Sequence, residues 1–335
     1  MRASTLFLIF LSLIIRLPAQ EISLFDYLSA FDSIEVKITT DFKELLKKKD
    51  EYQAASIMIH AGDSVLLDTI GEIRSRGNIR KKVCFMPPTK IRLTKKYLKN
   101  RGFSTYPTLK IVNACSFSNS NTIYIQKEKL IYEIYNAVTD RSYRTKSIIV
   151  TYEDSEGKKS SETVQAFFIE HEDQLAERLG GELYDVGYFK PEALERKTYV
   201  LFCVFQYMVG NTDWKVLNRH NMTIIKLPEE RIIFPVAYDF DYAGLINTHY
   251  AVPHSSLSIK EVSERLYLGP CQTDDEITAM CQYFLSKKDM IHQLIDDSGL
   301  SDRDIKQCRS YLDKFFEMLE DKREASFVFS NCIDY

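Results

Sequence analysis

Apolar residues in this 335-residue chain change their period near residue 170, and that change constrains the fold more than any other feature. From Ile34 to Ile111 they alternate in short runs: Val36–Ile38, then Ile57–Ile59 and Val65–Leu67 around Ala61-Gly62-Asp63, then Glu72–Arg76, Ile91–Leu93 and Leu109–Ile111. Such runs predict hairpin-linked strands in a small antiparallel sheet. One helix is expected before them, Phe42–Lys49, and one after, Gln126–Val138, where Leu130, Ile134 and Val138 recur every fourth residue and Ile131 and Tyr135 widen the stripe. Ser147–Tyr152 and Thr163–Ile169 form a further strand pair around a polar turn. After Glu170 the spacing becomes helical, over His171–Leu179, Arg196–Val209, Asp275–Leu285, Lys288–Ile295 and Asp302–Leu319. The expectation is an α+β chain with a β-rich part over residues 20–170 and a helix-rich part over 171–335.

Met1-Arg2, the apolar run Leu6–Ile15 and Leu17-Pro18-Ala19 read as a secretory leader over residues 1–19. No later stretch reaches the roughly 18 apolar residues of a membrane helix. The chain is therefore expected to be exported, periplasmic or extracellular, without a membrane span. Its formal net charge is −3, and removing Arg2 and Arg16 with the leader takes it to about −5, which argues against a nucleic-acid partner. The run Lys47-Lys48-Lys49 is followed by Asp50-Glu51 and reads as a solvated helix end. Seven cysteines follow the leader, so at least one thiol stays free, and Cys203 is expected to pack as a buried one. No Cys/His cluster has zinc spacing.

Between residues 210 and 241 the chemistry concentrates. The apolar helix Tyr199–Val209 runs into Gly210-Asn211-Thr212-Asp213-Trp214, so Asp213 sits on a turn just past a buried helix. Asn218 and Asn221 follow, and the strand-like Ile232–Tyr238 leads to Asp239-Phe240-Asp241. On an extended chain Asp239 and Asp241 would point to one side. Two carboxylates plus an amide oxygen from Asn221 or Asn218 suit Mg²⁺ or Mn²⁺, which complete their shells with water and phosphate oxygens. His220, beside Asn221, is placed to touch the site, although a lone histidine is more often a structural one. Upstream, Lys90 and Arg92 share the face opposite Ile91 and Leu93, and Arg74 and Arg76 share a face before Gly77, where they suit phosphate oxygens.

A β-rich part with an embedded helix, then an Asp-containing loop after an apolar helix, then Asp-Phe-Asp after a strand, looks like a protein kinase without HRD, DFG or a GxGxxG loop. The chain resembles the spore coat protein H-like (CotH) family of exported atypical kinases through IRSRGNIRKKVCFMPP (73–88), LKIVNAC (109–115), KEKLIYEIYN (127–136), QYMVGNTDW with RHN (206–221), YDFDYAG (238–244) and ERLYLGPC (264–271). The resemblance implies a kinase-like bilobal fold and ATP-dependent phosphorylation of a protein Ser/Thr or another small hydroxyl-bearing acceptor. It gives Asp213 the catalytic carboxylate, Lys90 the ATP lysine with Glu128 or Glu133 as its partner, the family pattern favouring Glu128, Asp239 the metal, and Asp241 a second metal or a supporting role. Asn221 or Asn218 would be the metal-binding amide. It also implies a Cys84–Cys115 disulfide. A silent module that binds a phosphorylated or envelope ligand is the first rival reading, and a two-metal nuclease is the second.

Overall fold

The computed structural model describes residues 21–77, 79–115, 119–185, 187, 188, 190–330 and 332; the expected leader lies outside them. The strands are β1 (Glu35–Thr40), β2 (Gln53–Ala61), β3 (Ser64–Ser75), β4 (Thr89–Arg92), β5 (Thr108–Asn113), β6 (Thr145–Asp154), β7 (Glu162–Ile169), β8 (Glu182–Leu183), β9 (Met222–Leu227) and β10 (Ile232–Ala237). The helices are α1 (Leu24–Ser29), α2 (Phe42–Lys47), α3 (Arg80–Val83), α4 (Lys95–Asn100), α5 (Asn119–Val138), α6 (Glu172–Arg178), α7 (Arg196–Val209), α8 (Asp274–Leu285), α9 (Lys288–Asp296), α10 (Asp302–Glu320) and α11 (Lys322–Ser330).

Seven strands close into a barrel in the order β1-β2-β3-β4-β5-β7-β6. Closure comes from β1, which pairs antiparallel with β2 and parallel with β6, Val36 opposite Val150. This overturns the kinase-like bilobal fold expected from the resemblance: the sheet has no open edge, and the second half is a separate helical segment carrying its own three-stranded sheet, β10-β9-β8. Alternation along one strand sets which side chains face inward, but it is silent on whether the first and last strands meet. Val65–Leu67 and Glu72–Arg76, expected as separate strands, belong to one twelve-residue β3 that ends at Ser75.

Two cores fill the molecule. Inside the barrel, Ile73, Ile91 and Leu109 stand in register across β3, β4 and β5 and pack with Val36, Ile57, Val150 and Phe168. The second core is built on α7, whose buried residues run almost without interruption from Thr198 to Val209, as expected of a helix enclosed on all sides. It also takes in α5 through Leu130, Ile131, Ile134 and Tyr135. Strand β7 belongs to both cores: Ala166 and Phe168 face into the barrel while Phe167 and Ile169 face the second core. The outer wall of the barrel is thereby pressed against α5, and the candidate site lies between the segment from the end of β3 into α3 and the loops that follow α7 and β10.

Cys84 pairs with Cys115, as the resemblance implies, and Cys271 pairs with Cys332. Both suit an oxidising compartment. Cys203, Cys281 and Cys308 are buried thiols, each pushed up by burial. Among the described residues no helix is long and apolar enough to cross a membrane.

Candidate functional site

Helix α7 stops at Gly210, whose left-handed φ of 67° lets its own N–H reach the Tyr207 carbonyl and that of Asn211 reach the Gln206 carbonyl. A side chain here would be strained, because the backbone is left-handed and a Cβ on Gly210 would force the Tyr311 hydroxyl to shift. Past this stop, Asn211 Nδ2 donates to Gln206 Oε1 (3.0 Å) and Asn211 Oδ1 accepts from the Asp213 N–H (3.1 Å). The buried Trp214 anchors the turn by donating Nε1–H to the Asn211 carbonyl (3.1 Å).

Lys215 and His220 then exchange backbone hydrogen bonds and fold the chain back on itself. The return sets His220 Nε2 3.1 Å from Asp213 Oδ1, while Asn221 Nδ2 donates to Asp213 Oδ2 (2.9 Å) and to the Asp213 carbonyl (2.7 Å). Asn218 stands within the turn and lines the adjoining cavity, so the fold brings Asn221 and not Asn218 to Asp213. His220 is a site residue, against the structural reading its sequence context favoured; hydrogen bonding to Asp213 raises its pKa.

Strand β10 ends at Ala237, and Asp239 sits in left-handed backbone with φ 62°. The extended geometry expected for Asp239 and Asp241 is therefore absent, yet both line the same cavity. The cause is Phe240: fully buried, it packs edge-on against Tyr132 (4.8 Å) and Phe205 (5.9 Å) and turns its neighbours toward the cavity. Burying a phenylalanine contributes about 2 kcal/mol, enough to offset the roughly 1 kcal/mol or more that a non-glycine residue loses in this conformation. The Asp239 N–H also donates to the Tyr132 hydroxyl (3.0 Å). Asp239 opens onto the cavity but is enclosed around it, and burial together with the Asp241 charge pushes its carboxyl up to about 6.

A buried arginine completes the acid cluster. Arg80 on α3 donates Nε–H to Asp241 Oδ2 (2.8 Å) and Nη2–H to Glu128 Oε2 on α5 (2.5 Å). Burial opposes its charge, but Asp241 and Glu128 outweigh that and raise its pKa. Burial pushes the Glu128 carboxyl up despite Arg80. The expected Lys90–Glu128 pair is not formed. Arg74, Lys90 and Lys110 stand in register across the outer face of β3, β4 and β5, and the two lysines turn to Glu172 at the start of α6, at 4.0 Å from Lys90 and 2.8 Å from Lys110. Burial alone would raise the Glu172 carboxyl, yet Lys110 brings it down to about 2, whereas burial lowers Lys90. Arg74 lies over Tyr52, its guanidinium carbon 5.1 Å from the ring centre, and donates toward the Asp50 carbonyl, away from the acids.

Asp213, Asn221, Asp239, Asp241, Arg76 and Arg80 thus meet in one cavity of about 380 Å³. A second, of about 390 Å³, shares Asn221 with it and is walled by Tyr143, Tyr184 and Tyr238, with Lys110 beside them. Between the two, Arg76 donates to the Tyr238 hydroxyl. Scanned against protein-family models the chain matches none, and a search of curated proteins returns no match. The chemistry of the site has to come from its own geometry.

Among the described residues, no three His, Cys, Asp or Glu side chains converge into a ready metal cage. Two features still fit a hard cation that keeps most of its shell as water and phosphate. Asp239 is a carboxylate with an electrostatic deficit, and Asn221, with Nδ2 committed to Asp213, has its amide oxygen left as a donor.

Proposed function

We propose that the chain is an exported phosphotransferase that moves the γ-phosphoryl group of ATP to a hydroxyl on a protein or small acceptor, with Mg²⁺ or Mn²⁺ as cofactor. What carries this reading is one cavity in which a hydrogen-bonded carboxylate, Asp213, faces a carboxylate pair and two arginines. Phosphoryl transfer needs positioning and charge stabilisation more than covalent chemistry from the protein. Asp239 and the Asn221 oxygen would hold the cation, which when bound neutralises charge on the phosphate oxygens. Asp241 holds Arg80, and Arg80 and Arg76 present guanidinium groups suited to phosphate oxygens. Asp213, oriented by His220 and Asn221, accepts the acceptor's proton once that hydroxyl lies within about 3 Å. The tyrosine-walled second cavity takes the base, and Lys90 serves the charge balance around Glu172 from outside the phosphate cavity.

Because the Asp239 carboxyl ionises near pH 6, cation uptake strengthens as pH rises through that value. A transfer assay with γ- and, separately, α-labelled ATP tests the reading. Label from the γ position that is lost in Asp239→Ala supports it, whereas label from the α position alone makes the chain a nucleotidyl transferase. ATP that raises the melting temperature without any transfer favours the silent binding module. That second reading has its own observation, since Asp241, Glu128 and Arg80 already satisfy one another.

A further inference from the structure

The mouth of the acid cavity carries apolar surface that its polar interior does not need. Ile79 and Val252, both lining the cavity, are 39% and 70% exposed. Val83, one helical turn on and donating its N–H to the Ile79 carbonyl, is 54% exposed, and Phe85 is 52% exposed. The Cys84–Cys115 bridge and the buried Met86 turn inward, and the side chains alternating with them, Val83 and Phe85, turn outward. Ile79, Val83 and Phe85 thus put exposed apolar surface next to the disulfide at one side of the cavity, the kind of surface that interaction sites use.

The same lip is basic. Lys81 and the exposed Lys82 sit on α3, and the end of α2 abuts them, with Lys49 donating to the Lys81 carbonyl. Asp50 pairs with Lys81, while Lys47, Lys49 and Lys82 have no carboxylate partner among the described residues. Lys49 thus reaches α3, the helix whose Arg80 lines the cavity, while Lys48 pairs with Glu44 on the solvated end of α2. In a chain of formal net charge −3 this local excess of cations is not a matter of composition.

Resting on the phosphotransfer reading above, we propose that the acceptor is a polypeptide segment with acidic residues and an apolar residue next to the accepting hydroxyl. The apolar residue lies on Ile79 and Val83, and the acidic residues face Lys82 and the lysines at the end of α2. A small acceptor would leave this lip unused, and a basic segment would meet like charge.

The test is fluorescence anisotropy of the mature chain with two labelled serine peptides of equal length and one leucine each, the first rich in Glu and the second rich in Lys. The variants are Lys82→Glu and Val83→Asp, both at exposed positions, with unchanged melting temperature as the folding control, and Val83→Ser as a milder second change. The expected result is a preference for the acidic peptide that weakens about tenfold in Lys82→Glu, weakens in Val83→Asp and falls with added salt. Equal binding of the two peptides, or binding of neither, overturns the proposal. Equal transfer to both peptides overturns it while leaving the transferase intact. Selective binding of the acidic peptide with no transfer from ATP upholds the docking surface and sinks the transferase.

Discussion

The two walls of the acid cavity are held by opposite means. On the wall from the second half, each acid stands on a short loop next to a buried aromatic: Asp213 beside Trp214, and Asp239 and Asp241 on either side of Phe240. Hydrophobic burial sets those loops. On the barrel side the cation Arg80 rides on α3, a helix of four residues that cannot persist by its own hydrogen bonds. A buried ion network and a disulfide hold it instead. Loss of charge at Asp239 should therefore be tolerated, whereas loss of Arg80, the centre of that network, should not.

The largest effect should come from Arg80→Met, which leaves Glu128 and Asp241 buried without a counter-charge. We expect a loss of about 3–5 kcal/mol in urea unfolding, partly restored by adding Glu128→Gln. A loss below about 1 kcal/mol would mean that burial holds both walls. Next, replacing Cys84 and Cys115 by Ser, which opens a bridge of sequence separation 31, should cost about 3 kcal/mol and weaken ATP-induced stabilisation. The acid wall should behave in the reverse sense. Because the folded Asp239 carboxyl ionises near pH 6 and a free one near about 4, the folded state binds more protons between these values, so stability falls as pH rises through that window. Asp239→Asn should flatten that part of a melting-temperature profile and add on the order of 1 kcal/mol at neutral pH, even though it abolishes transfer. The smallest change is expected for Lys90→Met, which loses only a 4.0 Å ion pair: under about 1 kcal/mol, with less effect on the ATP-induced shift than Arg76→Met. A larger ATP effect from Lys90 would return it to the phosphate cavity.

Much of the site was legible because its signals are local. Gly210 as a helix stop, Asp213 just beyond it, and two acids gathered after a strand follow from short-range pattern, whereas the buried Phe240 that turns those acids does not. His220 ranked second to a structural reading because its role depends on the Lys215–His220 fold-back, which no residue type announces. Arg80 was missed for a related reason. Its segment reads as a basic run, and only the packing of α3 between α5 and the Asp239–Asp241 loop turns one of three successive cations inward, with Lys81 and Lys82 left outside.

The sequence by itself determined most of the barrel strands, the long helices α5, α7, α8, α9 and α10, and the placing of the acids after an apolar helix and a strand, because period and helix stops act over a few residues; it did not show α1, α3, α4, α11, β8 or β9. Tertiary structure alone decided that β1 closes the barrel against β6, that α5 serves the second core, and that Glu128 meets Arg80 and not Lys90. Those outcomes depend on which distant surfaces are buried together, with β1 and β6 some hundred residues apart, and on which buried charge can find a partner there.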